Sequence, residues 1–474
     1  MTKDHGAQIG TMTSPNTNAE SARPPLWSRI AAVGALVLSL VTMVILIIFT
    51  AQNLVYVVVA LLGGGLAISA LWIAATNRRY RWLAAAAAAV LVAVTVASVT
   101  WVGRNLVAVA VALVGILVAS VLGTLALRSE VHHALAGRWY RVGAAGHGVV
   151  LVNPESGGGK AARLDLVDEA ERRGISPVML EPGDDLAELA EAAVSQGADV
   201  LGMAGGDGSQ AVVAAVAARH GLPFVCIPAG TRNHFALDLG IDRDDPVKAL
   251  DAYGSARESA IDLAEVNGET FVNNVSLGLY AEFVASDRYR EAKRRTVAKM
   301  FPELLGPGAP PSGLTVDGPR GPIVGTQLVE VSNNPYTLCS VIGFGSRPLL
   351  DTGKLGVASL TIRRTSDVNR LVALEISGHP ERFEGWSQWT AGHLEVRGHR
   401  PIVVAIDGEA RTLDPPLAFA IRPRSLRVRI GKGQSGASPA FRRAPVAVST
   451  LVGLLRVARG RPSGIVARSG TGAT

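Results

Sequence analysis

Asp199-Val200-Leu201-Gly202-Met203-Ala204-Gly205-Gly206-Asp207-Gly208-Ser209 is the stretch that decides how this chain folds. Its first half, Asp199–Ala204, has the length and apolar character of a buried strand. Glycines and Asp207 follow at once, and Gln210–Arg219 then shows a helical pattern. A strand, a glycine turn and a helix in this order predict one unit of an α/β fold, with a turn that suits phosphate.

The same alternation continues on both sides of this turn. Further strands are predicted at Val149–Val152, Pro177–Leu180 and Phe224–Ile227. Helices are predicted at Lys160–Arg173, from a cap at Asp184 or Asp185 to Gln196, and from Asp245 to Gly254. We therefore expect an α/β nucleotide domain with a mainly parallel sheet over residues 144–256. Ligands of such a sheet gather beyond the carboxyl ends of its strands.

After residue 256 the helical pattern nearly disappears. The predicted strands Ala260–Val266 and Thr270–Leu277 flank Asn267-Gly268, a dipeptide typical of β-hairpins. Others follow at Gln327–Ser332, Leu355–Ile362, His393–Val396, Ile402–Ile406, Leu417–Ile421 and Leu426–Ile430, with one helix at Val368–Ile376. An antiparallel, β-rich domain is expected over residues 257–432.

The N-terminal part of the chain predicts a membrane anchor. Hydrophobic residues make up 48% of the chain and charged residues only 18%, less charge than soluble enzymes of this size carry. Residues 1–25 are polar and predicted to be disordered. Apolar runs at 29–50, 54–76, 82–102 and 105–127 each approach the roughly 20 residues that span a bilayer. We predict a four-helix transmembrane anchor over residues 26–128.

Arginines set the expected orientation of this anchor. They precede the first run, separate the second from the third, and follow the fourth: Arg23, Arg29, Arg78, Arg79, Arg81, Arg128, Arg138 and Arg141. The other two connections hold only Arg104. Positive loops favour the cytoplasmic side, so both termini are expected in the cytoplasm and the chain in the plasma membrane.

The C-terminal segment is basic. No acidic residue follows Asp414, whereas arginines and a lysine accumulate. Residues 433–474 are expected to be a flexible tail, and its apolar run Val446–Val457 is too short to span a bilayer but suits a membrane surface. An anionic membrane surface is the expected partner. Nucleic acid is not, because no recognised binding motif or aromatic stacking platform accompanies the arginines.

Three turns hold most of the chemical information: Asn153–Lys160, Gly205–Ser209 and Pro228–Asn233. Each follows a predicted parallel strand, so the three should converge at one edge of the sheet. Glycine lets a backbone approach phosphate closely, and a helix N-terminus adds its positive dipole end. Together the turns predict a nucleotide site.

The kind of nucleotide site can be narrowed, because features of two common nucleotide-binding motifs are absent from the sequence. Gly206-Asp207-Gly208-Ser209-Gln210-Ala211 formally fits a dinucleotide fingerprint, but no acid follows the strand Phe224–Ile227 to bind a ribose hydroxyl. The Asp207 carboxylate would repel a pyrophosphate unless Mg²⁺ lay between them. The first turn is not a Walker A loop either, because Ala161 follows Lys160. A magnesium-nucleotide site of another type is expected.

The three turns resemble the diacylglycerol kinase catalytic domain superfamily, which includes bacterial diacylglycerol kinases, sphingosine kinases and, more distantly, NAD kinases. The resemblance covers about residues 146–432, including Ile261-Asp262-Leu263 and Phe271-Val272-Asn273-Asn274. It implies an active site in the cleft between the α/β domain and the β-rich domain. ATP and Mg²⁺ are implied there, with a lipid alcohol, diacylglycerol first, as the acceptor of the γ-phosphate.

The resemblance also assigns residues. Gly205–Ser209 would hold the ATP phosphates, and Glu409, in Asp407-Gly408-Glu409, would be the general base that deprotonates the lipid hydroxyl. The residues implied to assist the nucleotide are Asn153, Ser156, Gly157, Lys160, Gly230, Thr231 and Asn233. Asp207 would also take part in catalysis, and Asp207 and Asp351 are the implied metal ligands.

Three places depart from the family pattern. One is Met179-Leu180, where relatives often have a Thr near the nucleotide. His234 stands in Asn233-His234-Phe235-Ala236 where many members have an Asp, and Thr352 stands before Gly353 where many have an Asp. The changes at His234 and Thr352 concern the metal site. An NAD kinase-like activity and a non-catalytic membrane sensor that binds nucleotide or lipid stay open as alternatives, and so does assembly into a homo-oligomer.

Overall fold

A computed structural model gives the fold of most of the chain. It describes residues 24–76, 81–104, 106–136, 138–279, 313–336, 345–362, 382–442 and 448–461, and residues 281, 367, 370, 371 and 374 between them. The chain divides into two compact units. The helical unit comprises Thr17–His132 and Ala444–Ile465, and the sheet unit is built on His133–Arg443.

The elements are numbered here in chain order. The helices are α1 (Leu26–Thr76), α2 (Arg81–Arg104), α3 (Leu106–Ala136), α4 (Lys160–Arg163), α5 (Leu166–Arg172), α6 (Leu186–Ser195), α7 (Asp207–Arg219), α8 (His234–Asp238), α9 (Pro246–Ala249), α10 (Pro439–Arg442) and α11 (Val448–Ala458); a 3₁₀ helix, Leu250–Tyr253, follows α9. The strands are β1 (Tyr140–Val142), β2 (Gly148–Val152), β3 (Ser176–Met179), β4 (Val200–Gly205), β5 (Pro223–Pro228), β6 (Ala256–Val266), β7 (Glu269–Phe271), β8 (Asn274–Gly278), β9 (Thr315–Gly318), β10 (Gly321–Val324), β11 (Leu328–Asn333), β12 (Leu355–Leu360), β13 (Trp386–Ala391), β14 (His393–Arg397), β15 (Ile402–Ile406), β16 (Glu409–Leu413) and β17 (Leu417–Ile430).

Helix α1 differs from the prediction. The predicted spans 29–50 and 54–76 form one continuous helix of 51 residues, so the described residues hold three apolar helices before the sheet unit where four were predicted. Ala51-Gln52-Asn53 contains neither Pro nor Gly, and Asn53 Nδ2 donates back to the Phe49 carbonyl oxygen at 2.8 Å. Nothing therefore ends the helix at this point. Stretches long and apolar enough to cross a membrane are Leu26–Ala74, Trp82–Trp101 and Ala110–Leu127.

Helices α2 and α3 both run antiparallel to α1, each along a different half of it. The pairs that lie against one another are Tyr56 with Trp101 and Gly63 with Thr95 for α2, and Thr42 with Gly115 and Gly34 with Leu122 for α3. Small residues at these crossings let the helices approach closely. The second half of α1 thus packs on α2 and the first half on α3.

The first sheet of the sheet unit is mixed. Its order is β10-β9-β14-β17-β5-β4-β2-β3, and β6 pairs with β17, β1 and β7. Strands β3, β2, β4 and β5 are parallel, as predicted. Strand β17 also joins β5 in parallel, with Val428 opposite Phe224. The last strand of the predicted β-rich region therefore extends the parallel part of the first sheet.

The second sheet is antiparallel, in the order β13-β12-β11-β8-β15-β16. A core fills the space between this sheet and the antiparallel strands of the first, where the rings of Phe271 and Phe419 lie 6.4 Å apart. An α/β fold with a mixed sheet, accompanied by an antiparallel sheet, is thus confirmed.

Local signals explain several element boundaries. Asp185 Oδ1 accepts from the N–H of Ala187 at 2.7 Å and begins α6, as a cap there predicts. Helix 160–173 is divided into α4 and α5, because Asp165 adopts a φ of +47°. Strand β17 is continuous where two strands were predicted, with an irregularity between Arg422 and Leu426.

Other elements of the structure differ from the predictions. Strands β9, β10, β13 and β16 lack a clear sequence pattern and were not predicted. Helix α11 lies within the predicted flexible tail. The predicted helix Val368–Ile376 lies mostly outside the described residues, and so do residues 1–23 of the predicted disordered N-terminus.

Candidate active site

The Gly205–Ser209 turn joins β4 to α7. Gly206 is the N-cap of α7, and Asp207, Gly208 and Ser209 form its first turn. The N–H of Gly230 donates to the carbonyl oxygen of Gly205 at 3.0 Å, which fixes the third predicted turn against the second. The free N–H groups at the start of α7 are those that bind phosphate in other helices.

The first predicted turn is built from successive glycines. Gly157, Gly158 and Gly159 have φ values of +59°, +67° and +80°, a conformation that residues with side chains rarely adopt. Gly157 lies so close to the carbonyl oxygen of Ala229 that a Cβ atom would collide with it. The first turn therefore also contacts the third, and the three turns converge as predicted.

Polar side chains hold the first turn in place. Asn153 Oδ1 accepts from the N–H of Glu155 at 3.0 Å, and the half-buried Ser156 donates its N–H to the Asn153 carbonyl oxygen at 3.3 Å. Lys160 Nζ donates to the carbonyl oxygens of Pro228 at 3.2 Å and Arg243 at 2.7 Å. Its ammonium group thus joins the first turn to the third, and its remaining N–H can donate to a ligand.

Asn233 offers an unused acceptor in the third turn. It has a φ of +50°, and its Nδ2 donates to the Gly230 carbonyl oxygen at 2.8 Å. Its Oδ1 is buried and has no hydrogen-bond partner among the described residues. A buried acceptor of this kind is costly unless a ligand or water donates to it. Thr231, beside it, is exposed.

Asp207 caps helix α8 from a neighbouring element. Its two carboxylate oxygens accept from the N–H groups of His234 at 2.9 Å and Phe235 at 3.1 Å. Each oxygen keeps lone-pair capacity for a metal or water. Burial lowers the pKa of His234, and the charge of Asp207 opposes that shift. A neutral imidazole thus lies where an acid was expected.

The Asp407-Gly408-Glu409 segment is a tight hairpin turn between β15 and β16. Asp407 and Gly408 have φ values of +48° and +89°, which two-residue hairpins need. The Asp407 carboxyl accepts from the N–H groups of Val272, Asn273 and Asn274 at 2.8–3.1 Å, and burial raises its pKa to about 7 against these donors. Asp407 thereby fixes the turn that carries Glu409.

Glu409 lies next to the Gly205–Ser209 turn. Its carboxylate lies directly against Gly208, where any side chain would collide with it. Arg411 Nη2 donates to Glu409 Oε2 at 3.2 Å, and the Arg411 guanidinium also lies 3.6 Å from Glu269. The Glu409 side chain is 55% exposed, so it is accessible to a substrate.

A cleft of about 540 Å³ opens at this point. It lies between α7 with its neighbours and the two hairpins that Asn267-Gly268 and Asp407-Gly408 form. The lining side chains are Leu180, Leu186, Ala187, Ser209, Ala211, Val212, Ala215, Arg219, Glu269, Thr270, Ile406, Asp407, Glu409, Arg411 and Arg422, with Gly208 and Gly268. One wall is apolar and the other polar and rich in arginine, a combination typical of small-molecule sites.

Asp351 belongs to a different cluster from Asp207. Its carboxylate pairs with Arg138, and Arg424 lies 4.0 Å away. Nearby, Asp262 accepts from the N–H groups of Gly353 at 2.7 Å and Arg424 at 2.8 Å, and burial raises its pKa against these bonds. The cation bound to Asp351 in this structure is therefore a guanidinium.

The described residues fit only one kind of magnesium site. No group of three or more His, Cys, Asp or Glu side chains among them is arranged to hold a metal. Mg²⁺ often keeps several waters and binds one or two carboxylates together with substrate phosphates. Asp207, with free lone pairs in the Gly205–Ser209 turn, fits such a site. Asp351, already neutralised by Arg138, does not.

The sequence did not reveal the buried residues that support the site. Gln210 Nε2 donates to the carbonyl oxygens of Met203 at 2.8 Å and Ile227 at 2.9 Å, joining the ends of β4 and β5. A Gln near the start of an otherwise apolar helix could have indicated that this side chain is buried and bonded to the backbone. The fully buried Arg347 pairs with Asp238 at 2.6 Å, and no sequence pattern pointed to that pair.

Comparison with known proteins finds relatives for part of this chain. The family model "Diacylglycerol kinase catalytic domain" matches residues 147–266. A diacylglycerol kinase of Mycobacterium tuberculosis (strain CDC 1551 / Oshkosh) is 29% identical over 195 residues, which cover 39% of this chain and 63% of that protein. A diacylglycerol kinase of Bacillus subtilis (strain 168) is 37% identical over 100 residues, covering 21% and 33%.

A crystal structure of a diacylglycerol kinase from Bacillus anthracis str. Sterne aligns with a TM-score of 0.47 at 16% identity, over 61% of this chain and 98% of that one. The match to the curated relatives thus spans less than two thirds of their length. The family match covers β2 to β6 and includes all three glycine turns. Residues 147–266 of this chain are thus similar to the catalytic domain of diacylglycerol kinases.

Proposed function

We propose that the chain is an ATP-dependent lipid kinase that transfers the γ-phosphate of ATP to the hydroxyl of a membrane lipid alcohol. One observation carries the proposal: the Glu409 carboxylate lies against Gly208, so a candidate general base adjoins a candidate phosphate-binding turn in one cleft. Diacylglycerol is the first candidate for the alcohol, because the matched relatives are named diacylglycerol kinases.

The three turns would bind the nucleotide. The free N–H groups at the start of α7 would donate to the phosphates, and the buried Oδ1 of Asn233 would accept from the nucleotide. Gly157 and Gly230 let the turns lie close together, because a Cβ atom at either position would collide with a neighbouring turn. Mg²⁺ held beside Asp207 would neutralise phosphate charge.

Glu409 would act on the lipid. Its carboxylate accepts the proton of the lipid hydroxyl as that oxygen bonds to the γ-phosphorus, and the bond between the γ-phosphorus and the bridging oxygen of ADP breaks. Phosphoryl transfer depends on positioning and charge neutralisation more than on covalent catalysis. An oriented acceptor of the proton is therefore the main chemical part that the protein supplies.

Labelled ATP tests the proposal. Full-length chain, Mg²⁺ and mixed-lipid micelles with a panel of lipid alcohols should give a chloroform-soluble labelled product. Glu409→Gln should lower kcat by about 10²-fold or more with ATP binding retained. The matched control Glu384→Gln, at an 84% exposed side chain, should be as active as the wild type.

Other outcomes would contradict this function. ATP binding without turnover on any lipid, unchanged by Glu409→Gln, would favour a non-catalytic sensor. Labelled NADP from NAD would favour an NAD kinase-like activity.

The helical unit would anchor the enzyme in the plasma membrane with the sheet unit in the cytoplasm. Helix α1 is about 77 Å long at 1.5 Å per residue, whereas a hydrocarbon core is about 30 Å thick. Arg29 lies in its first turn, and Arg78, Arg79 and Arg81 follow its end, so the distribution of charge supports a cytoplasmic position for both ends. Two crossings would require the chain to turn back near Gln52, within the continuous helix α1. We propose that it does so in a bilayer, and that the anchor then has four crossings.

A further inference from the structure

Helix α11 packs into the helical unit. Leu454 and Val457 are buried against Ala32 and Ala35 of α1 and Ala126 of α3. Gly123 of α3 also lies beside Leu454, which lets the helices approach closely. The C-terminal helix of the chain is therefore part of the same compact body as the first and last apolar helices.

The end of α11 meets the start of α1. The N–H groups of Gly460 and Arg461 donate to the carbonyl oxygens of Val457 and Arg456, both at 2.9 Å, which closes the helix in a Schellman motif. The guanidinium of Arg29 lies beside Gly460. A cation at this place is stabilised by the negative C-terminal end of the helix dipole.

The outer face of α11 is apolar and basic at once. Leu451, Val452 and Leu455 are 49%, 45% and 38% exposed. Arg456 and Arg459 are exposed on the same face, four and eight residues after Val452 and Leu451. Within the described parts of the chain, these two arginines form no ion pair with an acidic side chain, and neither do Arg29 and Arg461.

We propose that α11 and Arg29 form a binding site for the headgroup of an anionic phospholipid at the membrane surface. Leu451, Val452 and Leu455 would enter the boundary of the acyl chains, and the arginines would bind the lipid phosphate. Two features select this partner over a protein: the charge of the face and its continuity with helices that are apolar enough to span a bilayer. The proposal rests on membrane anchoring by α1–α3 but not on kinase activity.

Amide hydrogen exchange tests this site. Full-length chain in micelles of a neutral detergent is titrated with POPG or with POPC, and exchange over residues 448–461 is followed. POPG should slow exchange and POPC should do so much less. Inorganic phosphate at the same concentration should have no effect, which separates a lipid headgroup from a free anion.

A double variant supplies the decisive comparison. Arg456→Gln/Arg459→Gln should weaken the apparent affinity for POPG about 30-fold, as the loss of two arginines near an anionic surface predicts. Arg320→Gln/Arg400→Gln, which removes the same charge from exposed positions of the sheet unit, should bind POPG as the wild type does. Equal protection by POPG and POPC, or equal affinity of both double variants, would overturn the site. A chain that is not recovered with membranes would overturn the anchoring on which it rests.

Discussion

At the scale of single residues, Gly208 in the proposed phosphate-binding turn lies against Glu409, the proposed general base. A methyl group at Gly208 would meet the Glu409 carboxylate, and the exposed side chain can move away from it. Gly208 lies in the first turn of α7, where Ala is a better helix former by up to about 1 kcal/mol. Gly208→Ala should therefore leave the melting temperature unchanged or higher and lower kcat by about 10²-fold.

Kinase assays and thermal unfolding of the same samples separate these effects. Gly254→Ala is the matched control, because the nearest atom to its added methyl group would be 3.5 Å away and the position lies outside the cleft. Wild-type kcat in Gly208→Ala would contradict the placement of Glu409 as base.

A second residue-scale prediction concerns Arg347. Its guanidinium donates to Asp238 at 2.6 Å, to the carbonyl oxygen of Asn333 at 2.8 Å and to Asn273 Oδ1 at 2.7 Å, fully removed from solvent. Even with this partner, burial raises the pKa of Asp238 to about 6. Arg347→Met leaves the carboxyl unpaired and should lower the free energy of unfolding by about 3–5 kcal/mol.

Urea unfolding followed by tryptophan fluorescence measures this loss. The double variant Asp238→Leu/Arg347→Met removes the unpaired charge and should recover part of the stability. A single variant that loses less than about 1 kcal/mol would show that breaking the buried pair does not carry the expected cost.

At the scale of elements, the packing of α1 limits how this helix can cross a membrane. Its two halves pack on different helices, Tyr56 on Trp101 and Thr42 on Gly115, so a reversal near Gln52 and Arg104 would preserve both pairings. A cysteine at Gln52 should then react with a membrane-impermeant maleimide in intact cells. Arg320→Cys, in the sheet unit, should react only after permeabilisation. Reaction of both cysteines only after permeabilisation would rule out the four-crossing topology.

The elements also show why local sequence predicts some features and misses others. The three turns could be predicted because glycine and Asp207 encode their chemistry within a few residues. Residues Ala51 to Asn53, where we predicted a break between two spans, contain no Pro or Gly. Only the fall in hydropathy suggested a break, and hydropathy alone does not distinguish one helix from two. Strand β17 joins β5 across about 200 residues of chain, and such a pairing depends on tertiary packing that no local pattern records.

At the scale of the whole molecule, buried carboxyls make stability depend on pH in an unusual direction. Glu330, on the central strand β11, is buried, and its Oε1 has no hydrogen-bond partner among the described residues. Burial raises the pKa of Glu330 from 4.5 to about 8. Between these values the folded protein keeps a proton that the unfolded chain has released. The stabilisation is therefore fully present below about pH 4.5 and is lost as the pH rises through about 8.

Asp407, with a pKa of about 7, also makes the free energy of unfolding fall as the pH rises. The lowered pKa of His234 makes the free energy of unfolding rise with pH, but only below the usual histidine pKa of 6.5. Between about pH 7 and 8, Glu330 therefore supplies most of the slope and Asp407 a smaller part, and the contribution of Glu330 to the fall in the free energy of unfolding should decline from about 1.2 to about 0.7 kcal/mol per pH unit. Glu330→Gln cannot titrate and should flatten this slope in urea unfolding, while Glu384→Gln, at the exposed surface, should keep it. The same slope in both variants would contradict this prediction, because it would mean that Glu330 is already ionised in the folded protein. We do not expect that result, since an unpaired charge buried in the second sheet would cost too much free energy.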